Sequence, residues 1–373
     1  MPFDVDYNQA PLLLIWEVTR ACALSCRHCR AEAIDERHPN ELSLDEGRKL
    51  LDDIAGMGTP IVIFTGGDPL QRGDLDQLIM HAKANGLRVG TIPATTERLT
   101  RKRVHRLKVA GLDQMAMSID GSTAETHDGF RRVPGCFDKA MEAAVFAHAE
   151  ELPLQVNTVF AAWNFDDFDN MARLVQQLDV VFWEVFFLVP TGRGAVMGSC
   201  TTEQYEQLFE KLHQLSRRVD FVVKVTEAPH YRAYVARQTG PATEAQPDRG
   251  VMPSVHHGHH GSIHNPTGGV NSGKGFCFVD HVGDVCPSGF LPIVAGNVRT
   301  QSVIDIYRDS TLFRELRDPE LLGGCCGMCE YKSLCGGSRA RAHAMTDDYL
   351  AEEPFCAYGR QLVQGQDPGG VTS

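Results

Sequence analysis

The stretch RACALSCRHCRAEA, residues 20–33, carries three cysteines with the spacing Cys22-x3-Cys26-x2-Cys29. It directly follows Leu12–Val18, an apolar run whose length predicts a β-strand. The three thiols are therefore expected together on one loop at the carboxyl edge of a sheet. Three thiolates on a cubane iron-sulfur cluster leave one iron open to a small molecule, whereas a cluster that only carries electrons normally has four thiolates.

Two other interpretations of this loop stay open. A structural zinc ion would need a fourth ligand, for which His28 is the nearest residue, but the spacing does not match the common zinc patterns. The three cysteines could also be inert buried thiols. The open-iron cluster is the interpretation that the spacing favours.

The surrounding chain alternates short apolar runs with helical patterns up to about Val225. A capping box at Ser43–Glu46 predicts a helix to about Gly56, and Cys136–Ala149 and Phe165–Leu178 have helical periodicity. Six predicted strands lie between such helices: Leu12–Val18, Pro60–Phe64, Leu87–Thr91, Gln114–Ser118, Leu154–Phe160 and Val180–Leu188. Six β/α units predict an α/β fold with a parallel sheet whose strand ends carry the ligand-binding loops.

Composition narrows the class of protein. The 373 residues are 43% hydrophobic and 23% charged, as in ordinary globular chains, and the formal charge of -12 opposes binding to nucleic acid or to an anionic membrane. The acidic start MPFDVDYN does not resemble a signal peptide, and no apolar run is long enough to span a bilayer. We therefore expect a cytoplasmic protein, in which twelve cysteines indicate metal binding or catalysis before disulfides.

A glycine-rich turn, Thr65-Gly66-Gly67-Asp68-Pro69, follows the second predicted strand. Its glycines would let the backbone approach a ligand closely, and the carboxylate of Asp68 could bind an ammonium group. Taken alone, Gly-Gly-Asp-Pro is also a common turn. Its position one β/α unit after the cysteine loop favours a binding role.

The C-terminal part of the chain has a second group of cysteines. Cys326-x2-Cys329-x5-Cys335, with Cys356 further on, fits zinc and an iron-sulfur cluster equally well on spacing alone. Between residues 237 and 275 the chain has linker composition, including HHGHHGSIH at residues 256–264, whose histidines are either linker or a metal site. We expect three parts: a core at 1–235, a Gly/His-rich linker at 236–275 and a Cys-rich domain at 276–373.

Together, three segments resemble the radical SAM superfamily: the cysteine triad, GGDPL at residues 66–70, and MSIDGSTAETHDGFRR at residues 117–132. The resemblance implies a partial (β/α)6 barrel with a 4Fe-4S cluster on the triad and S-adenosylmethionine bound to its open iron. Reduction would cleave S-adenosylmethionine, and the resulting 5'-deoxyadenosyl radical would abstract hydrogen from substrate. The electron would come from a donor such as flavodoxin or ferredoxin.

The same resemblance implies binding residues for S-adenosylmethionine. Gly66, Gly67 and Asp68 would hold the methionyl amino group. Three further positions match contacts to the ribose, the carboxylate and the adenine edge: Ser118, Arg131 and Val189. Each could instead be structural: Ser118 as a loop cap, Arg131 as part of a surface ion pair, and the Val189 segment as a plain turn.

The C-terminal region resembles the SPASM or twitch extension of these enzymes, which binds auxiliary 4Fe-4S clusters. The pattern maps one auxiliary cluster onto Cys326, Cys329, Cys335 and Cys356, but the further cysteine of the two-cluster version is missing near Ser338. Three more cysteines either form a second auxiliary cluster or are buried or reactive thiols: Cys277, Cys286 and Cys325. Two isolated cysteines, Cys136 and Cys200, are expected to be structural, and His230 is either an acid-base group or a loop histidine.

Within the superfamily, CEYKSLCGGSRARAHA and DYLAEEPFC look most similar to enzymes of heme and denitrification-heme biosynthesis, which alter carboxylate side chains of tetrapyrroles. We therefore expect an oxidoreductase or lyase acting on a tetrapyrrole. A maturase of ribosomally made peptides is the alternative enzyme. A non-catalytic metal-binding or electron-transfer protein is the alternative from another class.

Overall fold

The fold is built on one ten-stranded sheet, seen in a computed structural model that describes residues 4–239 and 269–363. Its order is β10-β9-β8-β1-β2-β3-β4-β5-β6-β7. The strands are β1 Leu13–Glu17, β2 Ile61–Thr65, β3 Arg88–Thr91, β4 Gln114–Ser118, β5 Leu154–Phe160, β6 Phe182–Phe187, β7 Val222–Thr226, β8 Phe276–Val279, β9 Asp284–Cys286 and β10 Gly296–Asn297. Strands β1 to β7 pair in parallel and in chain order, so their carboxyl ends share one edge.

Helices connect the parallel strands, as crossovers between such strands require. The helices are α1 Leu44–Met57, α2 Leu75–Ala84, α3 Arg101–Val109, α4 Ala124–Arg131, α5 Cys136–Ala149, α6 Phe168–Gln177, α7 Thr202–Ser216, α8 His230–Thr239, α9 Val303–Asp309, α10 Thr311–Arg317, α11 Gly324–Met328, α12 Arg339–Thr346 and α13 Ala357–Val363. Across these described ranges, no helix combines the length and hydropathy needed to span a membrane.

The hydrophobic core lies between the sheet and the helices. Alternate residues of each strand point to it: in β1, Leu14 and Trp16 are fully buried, and Trp16 packs against Phe64 of β2 with 5.8 Å between ring centroids. In β6, Trp183 is likewise buried and packs against Phe168 of α6 at 5.7 Å. The other face of each strand is therefore left for polar and ligand-binding side chains.

All six predicted strands are present, within one residue or two of the predicted ends. The capping box on Ser43 forms as expected, since its side chain accepts from the Glu46 N–H and the Glu46 carboxylate accepts from the Ser43 N–H. Strand β7 was missed as a separate element because Lys224 interrupts its short apolar pattern. It extends the parallel sheet beyond six strands.

Strand β8 joins the C-terminal region to the same sheet. It pairs in parallel with β1, so that Leu14 faces Cys277 and Ile15 faces Phe278. The hydroxyl of Tyr307 donates to the carbonyl of Tyr7 at 2.8 Å, which adds a second attachment on the same side. The Cys-rich region is thus built onto strand β1. The domain boundaries at residues 235 and 275 remain predictions.

A buried ion pair attaches the C-terminal region at the opposite edge. The Arg341 guanidinium contacts both carboxylate oxygens of Glu353 at 3.1 Å, and both side chains are 0% exposed. The same guanidinium donates to the carbonyls of Leu188, after β6, at 3.3 Å and of Glu227, after β7, at 2.5 Å. Although burial opposes ionisation, Arg341 holds the pKa of Glu353 below its usual range.

Replacing Arg341 with Met should destabilise the protein by roughly 3–5 kcal/mol, because it leaves the Glu353 carboxylate buried without its partner. The free energy of unfolding in denaturant measures this, with Lys211→Met as the control, since Lys211 forms an exposed pair with Asp169. Equal stability of the two variants would show that Arg341 is not essential to this junction.

Candidate functional site

The cysteine loop after β1 aims hydrogen-bond donors at all three sulfurs. Cys22 and Cys26 are buried and Cys29 is half-buried. The donors are the Leu24 N–H to Cys22 Sγ at 3.3 Å, the Ala33 N–H to Cys29 Sγ at 3.5 Å and Arg131 Nη1 to Cys26 Sγ at 3.4 Å. Donors to sulfur stabilise thiolates and tune the iron-sulfur clusters that they ligate, so this environment fits a cluster.

Arg131 lies beneath this loop. Besides Cys26, its guanidinium contacts the fully buried carboxylate of Asp120, whose other oxygen accepts the Val159 N–H at 2.9 Å. Arg131 therefore forms a buried ion pair with Asp120 at the cysteine site, not the surface ion pair that was the structural alternative. Both its charged contacts lie within the protein, so a contact to a bound carboxylate stays a prediction.

The glycine-rich turn packs directly on the backbone before Cys22. The Gly67 N–H donates to the Thr19 carbonyl at 2.8 Å and the Asp68 N–H donates to the Ala21 carbonyl at 2.7 Å. A Cβ atom on Gly66 would lie 2.4 Å from the Thr19 carbonyl oxygen, and one on Gly67 would lie 2.5 Å from the Arg20 carbonyl oxygen. These glycines therefore let two loops of the protein approach each other, in addition to any ligand.

The carboxylate of Asp68 is fully buried and hydrogen-bonded within the protein. It accepts from the Leu70 N–H at 3.1 Å and from the Thr96 hydroxyl at 2.9 Å. Burial raises the pKa of this carboxyl group. Asp68 therefore ties the glycine-rich turn to the loop after β3, and its predicted contact to an ammonium group would have to share these oxygens.

Two other predicted binding residues lie at strand ends on the same edge. Ser118 ends β4 and is half-buried, and Val189 lies two residues beyond β6 and is 3% exposed. The segment after Val189 returns to the cysteine loop, since Arg193 donates its N–H to the Cys29 carbonyl at 3.1 Å and its Nε to the Cys26 carbonyl at 3.0 Å. The structure thus brings the predicted residues to one edge.

An aromatic stack flanks the cysteine loop. The His28 ring lies parallel to Phe130 at 4.6 Å, and Phe130 stacks on Trp163 at 4.3 Å. Burial lowers the pKa of His28 to about 4, so the ring is neutral at pH 7. His28 therefore continues an aromatic stack beside the cysteine loop.

The C-terminal cysteines show the same pattern of donors. Each of the four predicted ligands accepts a backbone N–H at its sulfur: Glu353 to Cys326 at 3.3 Å, Tyr331 to Cys329 at 3.4 Å, Gly337 to Cys335 at 3.3 Å and Gly359 to Cys356 at 3.3 Å. Arg339 adds a longer contact of 3.9 Å to Cys326 Sγ. Four sulfurs with a backbone donor each suit a bound metal centre.

The remaining C-terminal cysteines fall into two separate groups. Cys277 and Cys286 lie on the paired strands β8 and β9, and each is buried. Cys325 lies instead beside Cys326, and its sulfur would be 2.4 Å from a Cβ atom on Gly359. This arrangement does not support one cluster bound by Cys277, Cys286 and Cys325 together. The second auxiliary cluster stays a prediction.

Within the described ranges, one set of three potential ligand atoms lies within 4.8 Å of one another, on His127, Asp128 and Cys136. The chemistry does not fit a metal. His127 Nδ1 accepts the Asp120 N–H at 3.1 Å, which leaves the ring proton on Nε2. The Cys136 thiol donates to Asp128 at 3.2 Å, and burial raises its pKa to about 12.

Cys200 and His230 are both enclosed by apolar or aromatic side chains. Cys200 is 2% exposed within the main core. His230 lies 5.2 Å from Tyr205 and 4.9 Å from Phe209 between ring centroids, and burial lowers its pKa to about 4. The neutral His230 ring therefore packs as part of this aromatic cluster, and an acid-base role stays a prediction. The histidines at residues 256–264 lie outside the described residues.

Sequence reasoning missed a row of polar side chains across the sheet. Strand register places Ser118, Asn157, Glu184 and Lys224 side by side on β4, β5, β6 and β7. The sequence does show two charged residues, Glu184 and Lys224, inside otherwise apolar strands, and these could have indicated the row. In the sequence, Glu184 only interrupts the short apolar stretch at residues 180–190.

The parallel sheet, the cysteine loop and the glycine-rich turn together define a radical SAM enzyme. The model of the Radical SAM superfamily matches residues 16–175, and the chain belongs to this superfamily. It is 39% identical to the AdoMet-dependent heme synthase of Methanosarcina barkeri over 95% of this chain and 98% of that protein. It is 40% identical to the protein of the same name from Oleidesulfovibrio alaskensis, over 95% and 89%.

Two further comparisons mark the breadth of the family. The mycofactocin maturase MftC of Mycobacterium tuberculosis is 28% identical over 94% of this chain and 84% of that protein. The crystal structure of Streptococcus suis SuiB bound to S-adenosylmethionine superimposes with a TM-score of 0.71 at 14% identity, covering 94% of this chain and 78% of that one. This structural likeness confirms the α/β fold. As a radical SAM enzyme, the protein uses a 4Fe-4S cluster and S-adenosylmethionine.

Replacing Gly67 with Ala should weaken the cysteine loop, because the new methyl group would collide with the Arg20 and Ala21 carbonyl oxygens at 2.5 and 2.6 Å. Overpacking of this kind costs about 1–3 kcal/mol. Unfolding in denaturant and the iron content after reconstitution measure the effect. The control is Gly73→Ala, because a Cβ atom on Gly73 meets nothing within 4 Å. Similar results for both variants would contradict this role of Gly67.

Proposed function

We propose that Cys22, Cys26 and Cys29 hold the 4Fe-4S cluster and that the enzyme alters a carboxylate side chain of a tetrapyrrole. The observation that carries the first part is the donor aimed at each of the three sulfurs, at 3.3 to 3.5 Å. The second part rests on 39–40% identity, over 95% of the chain, to proteins named AdoMet-dependent heme synthase.

A cluster bound there would supply the electron that cleaves S-adenosylmethionine, yielding the 5'-deoxyadenosyl radical for hydrogen abstraction. The protein's own residues would orient and shield this chemistry. Backbone at Gly66 and Gly67 would face the methionyl group, Ser118 the ribose, and the Val189 backbone the adenine edge. The stack of His28 on Phe130 would exclude water on one side of the loop.

We assign an auxiliary 4Fe-4S cluster to Cys326, Cys329, Cys335 and Cys356. Four thiolates around one zinc ion lie roughly 3.8 Å apart, from a Zn–S distance of about 2.3 Å and tetrahedral geometry. Among the described residues, no three of these sulfurs gather within 4.8 Å of one another. These thiols are therefore not gathered as a tetrahedral zinc site, and membership of the radical SAM superfamily favours an iron-sulfur cluster. Such a cluster would exchange electrons with substrate or anchor it. The external electron donor would be a flavodoxin or ferredoxin.

A maturase of ribosomally made peptides is the second candidate. The 28% identity to MftC over 94% of the chain supports it, but the higher identity to the heme synthases favours a tetrapyrrole. Anaerobic turnover with S-adenosylmethionine, a reductant and an iron tetrapyrrole bearing propionates tests the choice by mass spectrometry. Loss of carboxyl groups from the tetrapyrrole would support the proposal. An unchanged tetrapyrrole, together with 5'-deoxyadenosine formation, would count against this substrate class.

Replacing Cys29 or Cys329 with Ser should affect different steps. Cys29→Ser removes a ligand of the cluster that binds S-adenosylmethionine, so formation of 5'-deoxyadenosine should fall to background. Cys329→Ser should retain 5'-deoxyadenosine formation but lose modified product. Both are measured by chromatography after anaerobic reconstitution.

The required control is soluble, monodisperse Cys329→Ser protein with its first cluster intact, because a bound cluster also contributes folding energy. If that protein turns over substrate normally, the auxiliary cluster is at most structural. If Cys29→Ser still cleaves S-adenosylmethionine, the ligand assignment is wrong.

A further inference from the structure

The face of the sheet opposite the helices has a charged and aromatic wall at β6 and β7. Trp183 and Val185 of β6 are fully buried toward the helices, so Glu184 and Phe186, which alternate with them, project from the other face. Glu184 is paired in register with Lys224 of β7. The wall therefore begins with two opposite charges on neighbouring strands.

This wall is continuous with the predicted S-adenosylmethionine site. Ser118, the predicted ribose contact, is paired in register with Asn157, and Asn157 is paired with Glu184. Side chains in register on one face of a sheet are neighbours, typically about 5 Å apart. A substrate that contacts Glu184 and Lys224 would therefore lie two to three strands from the predicted ribose contact, and so near the carbon that would carry the 5'-deoxyadenosyl radical.

Glu184 is held by neutral partners. Its carboxylate accepts from the Gln155 side-chain amide at 2.9 Å and from the Thr226 hydroxyl at 2.7 Å. Lys224 Nζ is 3.8 Å from the nearer Glu184 oxygen, which is longer than a hydrogen bond. The ammonium therefore keeps donors for another acceptor, and the Lys224 side chain is 21% exposed.

Other cations near the cysteine loop are more fully engaged. The Arg30 guanidinium contacts Glu17 at 3.0 Å and covers the Phe278 ring at 4.5 Å. Arg193 donates to the Cys26 carbonyl at 3.0 Å. Arg193 keeps an unpartnered Nη2, but its Nε and its backbone N–H hold the cysteine loop. On the β6–β7 wall itself, Lys224 is the cation whose ammonium lacks an acceptor within hydrogen-bond distance.

An aromatic surface lies one step nearer the carboxyl edge. Phe186 is two residues beyond Glu184 on the same face, in register with Thr226. Its ring lies 6.1 Å from the ring of Phe290, which follows β9, and both side chains are half-buried. An apolar ring pair next to a cation suits a flat, apolar molecule that carries a carboxylate.

We propose that Lys224 binds a carboxylate of the substrate while Phe186 and Phe290 contact the adjoining macrocycle. This inference rests on the proposed function, because it identifies where a propionate of a tetrapyrrole would be recognised. Glu184 competes with that carboxylate for Lys224. The two charges together would set how strongly acidic side chains are bound.

Titration of anaerobic, cluster-loaded protein with ferric coproporphyrin III, without reductant, tests this through the Soret absorbance. Lys224→Met should raise the Kd roughly 10- to 100-fold, because a charge-assisted hydrogen bond is lost. Lys224→Arg should restore most of the affinity. Lys211→Met, which removes an exposed lysine on α7, is the control and should bind like wild type.

Glu184→Gln provides an independent test with the opposite sign. It retains the shape and the Thr226 contact but removes the competing charge, so the Kd should fall. Unchanged binding by both Lys224→Met and Glu184→Gln would overturn the assignment while leaving the proposed function intact. Failure of wild-type protein to bind the porphyrin would overturn the proposed substrate class itself. As a check on the cluster, each protein is also reduced with S-adenosylmethionine in the absence of porphyrin. Formation of 5'-deoxyadenosine then shows that a change in porphyrin binding is not due to loss of the cluster.

Discussion

The buried pair of Arg341 and Glu353 connects the two cysteine sites. On one side, the Glu353 N–H donates to Cys326 Sγ at 3.3 Å. On the other, Arg341 holds the Leu188 carbonyl at 3.3 Å, and the segment beyond Leu188 returns to the cysteine loop through Arg193. Separating the two residues would leave a buried charge without its partner, which is strongly destabilising. The spacing between the two sites therefore depends on this pair.

The second constraint is the contact between two loop backbones. Gly67 and Asp68 hydrogen-bond to the residues before Cys22, and there is no room for a Cβ atom at Gly67. The sequence correctly indicated that these glycines permit a close approach. Within the protein, they approach the carbonyls that precede Cys22. This contact arises because neighbouring parallel strands end at the same edge of the sheet, and the motif alone does not show that arrangement.

Local patterns therefore predicted the six strands, the capping box on Ser43 and the placement of Cys22, Cys26 and Cys29 on one loop, because strand length, capping and cysteine spacing are encoded over a few residues. The partners of Arg131 and Arg341 depend on contacts between residues far apart in the chain. Strand β7 escaped prediction for a related reason, since Lys224 breaks its apolar pattern. A charge in a strand is explained only by the neighbour that faces it in register.

Two ion pairs at this edge of the sheet differ in how fully they are satisfied. Arg341 and Glu353 make two contacts of 3.1 Å at 0% exposure, so each charge is neutralised within the fold. Lys224 and Glu184 are 3.8 Å apart and are 21% and 16% exposed. Placing a charge on a strand costs solvation free energy, which a loose pair recovers only in part. Such a pair is better explained by a ligand that completes it than by stability alone.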